Sequence, residues 1–117
     1  MKKAVLLVLA LVAVGCADPI PRNLDGLVQQ GDTYLDGETM RPYSGPVFQL
    51  FSDDTTRVQL SANLKDGKFD GPYEYYSENG QLRDKGTWNM GEVCGEWITD
   101  GETVTYDPCP PGLEDAN

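Results

Sequence analysis

Gly71-Pro72-Tyr73-Glu74-Tyr75-Tyr76-Ser77-Glu78-Asn79-Gly80-Gln81-Leu82-Arg83-Asp84-Lys85-Gly86-Thr87-Trp88 decides the fold. Two runs of strand-forming side chains flank Asn79-Gly80. That pair is the strongest short hairpin signal in the chain, because a type I′ turn needs positive φ at both central residues. With these two residues as the loop, the numbers of facing residues sum to 159. Successive side chains of a strand point to opposite faces, so Tyr73, Tyr75, Leu82, Gly86 and Trp88 share one face. Glu74, Glu78, Gln81, Arg83 and Lys85 share the other, with Glu74 directly opposite Lys85. Tyr76 is the aromatic on the polar face and Asp84 the carboxylate on the apolar one.

The pattern recurs outward from this hairpin. Gly67-Lys68-Phe69-Asp70-Gly71 returns as Gly91-Glu92-Val93-Cys94-Gly95, an offset of 24, and the same offset maps Val58 onto Leu82, Ala62 onto Gly86 and Leu64 onto Trp88. Upstream, Tyr43-Ser44-Gly45-Pro46-Val47 precedes its counterpart by 26, the two extra residues falling within Ser52-Asp53-Asp54-Thr55-Thr56. Each copy reads as two strands and two turns. Val58, Leu60, Ala62 and Leu64 alternate with Gln59, Ser61 and Asn63, as a half-buried strand requires. The last copy turns at Asp100-Gly101, which sets Trp97 opposite Val104 and Gly95 near Tyr106. Val47, Tyr73 and Trp97 hold equivalent places in successive copies and should stack across the sheet as a continuous apolar seam. Leu27 to Leu35 reads as a leading hairpin around Gly31-Asp32. The expected fold is all-β, a series of tandem antiparallel hairpins forming a single-layer or partly rolled meander sheet, preceded by a signal peptide.

The N-terminus carries an address. Met1-Lys2-Lys3 is a short basic segment and Ala4–Val14 an unbroken run of eleven apolar residues. A membrane span needs about 20 such residues, so the run fits a secretory signal peptide over residues 1–15. It ends in Ala13-Val14-Gly15-Cys16, which resembles the lipobox of bacterial lipoproteins, where the Cys is acylated and becomes the mature N-terminus. Ordinary cleavage after small residues is the alternative reading. Each buried methylene contributes about 0.8 kcal/mol, so two or three acyl chains on Cys16 would anchor a small domain at the membrane. Ala17 rather than Asp follows the Cys, which favours the outer membrane if there is one. Residues 16–25, with Pro19 and Pro21, read as a lipidated tether. The β-repeat domain is then 26–107, and 108–117 is a Pro-rich tail.

Composition removes several functions. The 117 residues carry 9 Lys+Arg against 19 Asp+Glu, a formal charge of −10, and no His. Cleavage before Cys16 removes Lys2 and Lys3, leaving seven basic against 19 acidic residues, a charge of −12. An acidic chain cannot replace counterions along a phosphate backbone, so a nucleic-acid partner is not expected. It also repels anionic headgroups, so the lipid alone should hold it to the membrane. Without His there is no His-dependent triad, general acid or metal ligand. The Ser residues lack a base partner. No cofactor or metal is expected, since Asp66-Gly67-Lys68-Phe69-Asp70-Gly71 places a Lys where a Ca²⁺ loop needs oxygens.

The run Asp66-Gly67-Lys68-Phe69-Asp70-Gly71-Pro72-Tyr73-Glu74-Tyr75-Tyr76-Ser77-Glu78-Asn79-Gly80-Gln81-Leu82 resembles the MORN-repeat variant family of bacterial proteins. The shared features are a Gly-x-x-x-Gly step, an aromatic strand, an Asn-Gly turn, a second strand and a Gly turn. The resemblance covers about residues 27–106. It implies a single-layer or rolled sheet of repeated hairpins and no catalytic residues. Members of that family often carry an antitoxin label, and several are lipoproteins or secreted. The third copy departs from the pattern: Cys94 replaces a polar residue and Asp100 takes the place of Tyr76.

The candidate sites follow from these faces. Once Cys16 is acylated, Cys94 and Cys109 are the remaining thiols, and in an exported chain two Cys suggest a disulfide. The last hairpin sets Cys94 opposite Asp107, and Cys109 lies on a diagonal of about 7–8 Å, which a tilt at Pro108 could close. Two free thiols are the other reading. Acidic pairs such as Asp53/Asp54 and Asp66/Asp70 read as solvated turn residues. The row Tyr73, Tyr75, Trp88 and Trp97 reads as core, and Phe48 and Tyr76, away from that seam, as the exposed binding surface. The expected function is a non-catalytic protein-interaction or scaffolding module of the bacterial cell envelope. It would associate with an unidentified protein through sheet edges and aromatic faces. The alternatives are a carbohydrate-acting enzyme using a carboxylate pair, and an antitoxin or immunity protein.

Overall fold

The computed structural model of the chain describes residues 20–113. The expected signal peptide, the expected lipidation site Cys16 and residues 114–117 lie outside the described residues. The elements in chain order are β1 (Arg22–Asn23), a single 3₁₀ turn (Leu24–Gly26), β2 (Val28–Gln30), β3 (Thr33–Leu35), β4 (Gly45–Leu50), β5 (Val58–Lys65), β6 (Lys68–Phe69), β7 (Gly71–Tyr76), β8 (Leu82–Asn89), β9 (Glu92–Thr99) and β10 (Glu102–Thr105). No α-helix occurs among the described residues. One eight-stranded sheet runs β1-β4-β5-β7-β8-β9-β10, with β6 also on β5, and β2-β3 forms a separate hairpin. Only β1 is parallel to its neighbour. The sheet is open, with β1 and β10 at its edges.

The hairpins fall where the turn chemistry places them. Asp66-Gly67, Met90-Gly91 and Asp100-Gly101 all have positive φ at both positions, the type I′ signature. Trp97 faces Val104 and Tyr106 N–H donates to the Gly95 carbonyl at 2.8 Å. The leading hairpin turns at Gly31-Asp32, with Gln30 opposite Thr33. In β7-β8, Gly71↔Trp88 through Tyr75↔Asp84 keep the 159 register, and Glu74 faces Lys85 with 3.7 Å between their charged atoms.

At its tip that hairpin departs from the expectation. Only Gly80 has positive φ there, Gly80 N–H donates to Ser77 O, and Ser77 N–H donates to Gln81 O. The loop is therefore three residues, Glu78-Asn79-Gly80, with Gly80 in the left-handed position of a bulged turn. The Asn79 side chain accepts from Gln81 N–H instead of the residue adopting positive φ. The extra loop residue is absorbed by a bulge between Tyr75 and Tyr76, after which Tyr76 faces Leu82. A one-residue slip moves a side chain to the other face, so Leu82 leaves the apolar face and joins Tyr76, 38% exposed. The preceding copy does the same: a shift between Gln49 and Leu50 pairs Leu50 with Val58, and Val58 is 45% exposed rather than buried. The 24-residue repeat thus reproduces its irregularities as well as its strands.

The core is the face carrying Val47, Leu60, Ala62 and Leu64, covered by Leu24 and Leu27. This corrects the tether reading for its last residues, Arg22 to Asp25. Arg22 and Asn23 pair with Val47 and Phe48, Asn23 caps the 3₁₀ turn through Asp25 N–H, and Leu24 is 7% exposed. A single-layer sheet leaves one apolar face bare, and Leu24 and Leu27 close its first half.

The second half is closed by its own rings. Ser61↔Glu74 puts Ala62 beside Tyr73, and Lys85↔Ile98 puts Gly86 beside Trp97. The row across the sheet is therefore Val47, Ala62, Tyr73, Gly86, Trp97, alternating large with small. The gaps above Ala62 and Gly86 admit the neighbouring rings. Tyr73 lies 5.6 Å from Trp97 and 5.9 Å from Trp88 between centroids. Phe69 extends the cluster to Tyr34 at 5.8 Å. The expected seam of Val47, Tyr73 and Trp97 is present on one face.

Candidate binding face

The opposite face of the sheet is concave. A groove of about 620 Å³ crosses β4, β5, β7, β8 and β9. The registers build it from two parallel rows. Pro46, Asn63, Pro72 and Thr87 form one, through Pro46↔Asn63 and Pro72↔Thr87. Ser61, Glu74, Lys85 and Ile98 form the other, through Ser61↔Glu74, Glu74↔Lys85 and Lys85↔Ile98; Phe48, paired with Ser61 at the end of this row, does not line the groove. Strand twist and bulges bend a sheet, and bending gives this polar face its hollow.

Charge in the groove is mixed. Glu74 receives Lys85 Nζ on one oxygen and the Tyr76 hydroxyl, at 3.1 Å, on the other. Burial, then the hydrogen bond to Glu74, pushes the Tyr76 phenol above its ordinary pKa. Glu96 is exposed at the far side of the groove. On the apolar face, burial first and the Asp84 charge second push the Tyr73 phenol up to about 12.

Phe48 and Tyr76 both lie off the apolar seam, as expected, but neither is a freely exposed ring. Both are half-buried. Phe48 is flanked by Asn23 of β1, and the Tyr76 hydroxyl donates to Glu74. Tyr76 lines a second hollow of about 410 Å³ with Phe51, Arg57 and Val58. The Arg57 guanidinium sits 4.6 Å from the Phe51 ring centroid. The apolar atoms that do reach solvent here belong to Val58, Leu82 and Ile98. Alternation alone placed Val58 and Leu82 on the wrong face, and the bulges carry no signal in composition.

Cys94 and Cys109 form a disulfide with 5.0 Å between their Cα atoms. Strand β10 ends at Thr105, and the chain turns inward through Asp107 and Pro108. That turn shortens the diagonal expected from a continued ladder. One carboxylate of each acidic pair, Asp54 and Asp70, accepts hydrogen bonds at a turn. Asp54 accepts from the Thr56 hydroxyl and backbone N–H and from Arg57, which together hold its carboxyl below the usual range. Asp70 is not a solvated turn residue. It is 9% exposed and accepts from Met90 N–H at 3.0 Å.

No protein-family model, no curated protein and no solved structure matches the chain.

Proposed function

We propose that the chain is an exported, lipid-anchored, non-catalytic interaction or scaffolding module of the bacterial cell envelope that binds a protein through its concave face. The observation that carries this reading is the groove crossing five strands on a rigid repeat sheet. Its walls mix apolar Pro46, Pro72 and Ile98 with paired and unpaired polar groups. Such a surface suits recognition of a macromolecule. The disulfide fits an oxidising compartment. Five residues separate Cys16 from Arg22. At about 3.5 Å per residue they keep the domain within roughly 20 Å of an acylated Cys16. The MORN-repeat resemblance, which implies no catalytic residues, agrees with a non-catalytic role.

Glu74 and Glu96 both line the groove, which is the one feature favouring a carbohydrate-acting enzyme. Their strands are two apart and Glu96 stands two residues off the row of Glu74, Lys85 and Ile98, roughly 12 Å by strand geometry, wider than inverting carboxylate pairs. A catalytic acid needs a carboxyl set in apolar surroundings, whereas Glu96 is exposed and Glu74 is paired with Lys85.

Two measurements test the proposal. Labelled palmitate should enter the wild type, globomycin should block its processing, and Cys16→Ser should leave the membrane fraction. A photo-crosslinking side chain at Ser61, in the groove, should give discrete protein adducts in cells, while one at Met40, outside it, should not. Equal adducts at both positions, or a Cys16→Ser variant that fractionates like wild type, would overturn it.

A further inference from the structure

Strand β10 is one edge of the sheet, paired with β9 on one side and with no described strand on the other. Its four residues, Glu102–Thr105, are all exposed. A two-residue type I′ turn makes its flanking residues a doubly hydrogen-bonded pair, so Glu102 and Val104 bond inward to Thr99 and Trp97. The bond from Tyr106 N–H to Gly95 O continues that alternation. Thr103 and Thr105 therefore direct their backbone N–H and C=O groups away from β9, where no described strand meets them.

Natural edges are commonly blunted by Lys, Pro or a bulge. β10 has no Lys, Pro or bulge; its guards are its length of four residues and the Glu102 carboxylate. No Lys or Arg occurs after Lys85, whereas Glu92, Glu96, Asp100, Glu102 and Asp107 all do. Glu96 faces Thr105 across the β9-β10 ladder, and Glu102 lies in the edge strand itself. A second copy of this edge would meet like charge, so self-pairing is disfavoured. A cationic strand is favoured on both counts: it completes the ladder and neutralises the edge. On the core face, Val104 continues the row of Trp97 and is 36% exposed, offering an apolar contact to alternate residues of the incoming strand.

We propose that β10 accepts an extended protein segment with alternating cationic and apolar residues, by strand addition. In such a segment the cations take the face of Thr105 and Glu96, and the apolar residues take the face of Val104. This rests on reading the chain as an interaction module, and names one of its partners by chemistry.

The probe is the peptide acetyl-(Lys-Val)₃-amide, with acetyl-(Glu-Val)₃-amide as control, added to the disulfide-intact mature chain. Backbone amide exchange at Thr103 and Thr105 should slow about tenfold with the Lys peptide, and that at Val104, already bonded to β9, should change little. The effect should fade at high salt and be absent with the Glu peptide. Thr103→Pro removes an outward N–H without touching the β9 ladder. It should weaken binding about tenfold, while Thr103→Val binds like wild type. Thr105→Pro serves if the first variant loses its Trp fluorescence signature. Equal protection by both peptides, no protection, or protection without peptide that grows with protein concentration would overturn the proposal, the last in favour of a second copy. If Ser61 adducts persist in Thr103→Pro cells while the Lys peptide fails to bind, the edge assignment falls and the concave-face reading stands.

Discussion

Gly86 has no room for a side chain. A Cβ there would lie 2.1 Å from the Trp97 ring, and that ring is pinned by its Nε1, which donates at 3.1 Å to the carbonyls of both Thr87 and Cys94. The indole cannot retreat without losing these bonds. Gly86→Ala should therefore destabilise the fold by about 1–3 kcal/mol, as overpacking does, read by urea denaturation. Trp97→Leu should remove most of that extra penalty, so the double variant should cost less than the two single changes added together. An additive result would mean that the ring and the glycine do not meet. Ala62 plays the same part beside Tyr73 with one methyl to spare, which is why the row tolerates a phenol there.

Neighbouring copies are joined by a repeated docking of turns. Gly67 N–H donates to Tyr43 O, and Gly91 N–H to Phe69 O, both at 2.8 Å. Asp66 N–H is capped by Ser44 Oγ at 2.9 Å, and Met90 N–H by the Asp70 carboxylate. Ser44 and Asp70 occupy equivalent places, as do Asp66 and Met90, so each copy supplies two acceptors to the next turn. Asp70→Ala should cost about 1–3 kcal/mol, because it removes a charged acceptor from the Met90 N–H. Asp70→Ser, borrowing the chemistry of the preceding copy, should recover part of the loss in the same denaturation measurement. Gly67 serves its turn in another way: at φ +82 a Cβ would strike Thr33 Cγ2 at 2.5 Å, so its bareness lets β3 lie against the turn.

At the scale of the whole molecule, the array is closed differently at its two ends. The first half of the apolar face is covered by Leu24 and Leu27. At the other end Cys94 stands where Ser44 and Asp70 stand in earlier copies, but no equivalent turn is capped by it among the described residues. The disulfide to Cys109 takes that role and ties the tail back onto Gly95, whose N–H donates to Asp107 O. For a 15-residue separation, loop closure is worth about 3 kcal/mol. A Cys94→Ser/Cys109→Ser variant should lose roughly that much stability, with fast amide exchange confined to the last hairpin and tail. Unchanged stability would show that β9-β10 holds without the tie. Basic residues stop at Lys85, so the closed end is also the acidic end.

Strand alternation, glycine-bearing turns and the spacing of 24 were enough to determine the hairpins, the face bearing Tyr73, Trp88 and Trp97, and the pairing of Trp97 with Val104, because each depends on side chains close in the chain or one ladder apart. The Cys94–Cys109 pairing was within reach for the same reason, needing only a small tilt of the tail. Tertiary structure alone decided that Val58 and Leu82 turn outward, since a bulge is a choice between two hydrogen-bond registers of nearly equal local cost. It also decided that Arg22 to Leu27 dock, because only the assembled sheet presents an apolar face for Leu24 to cover. The hollow of the polar face belongs there too: curvature accumulates over many strands and is written in no single one of them.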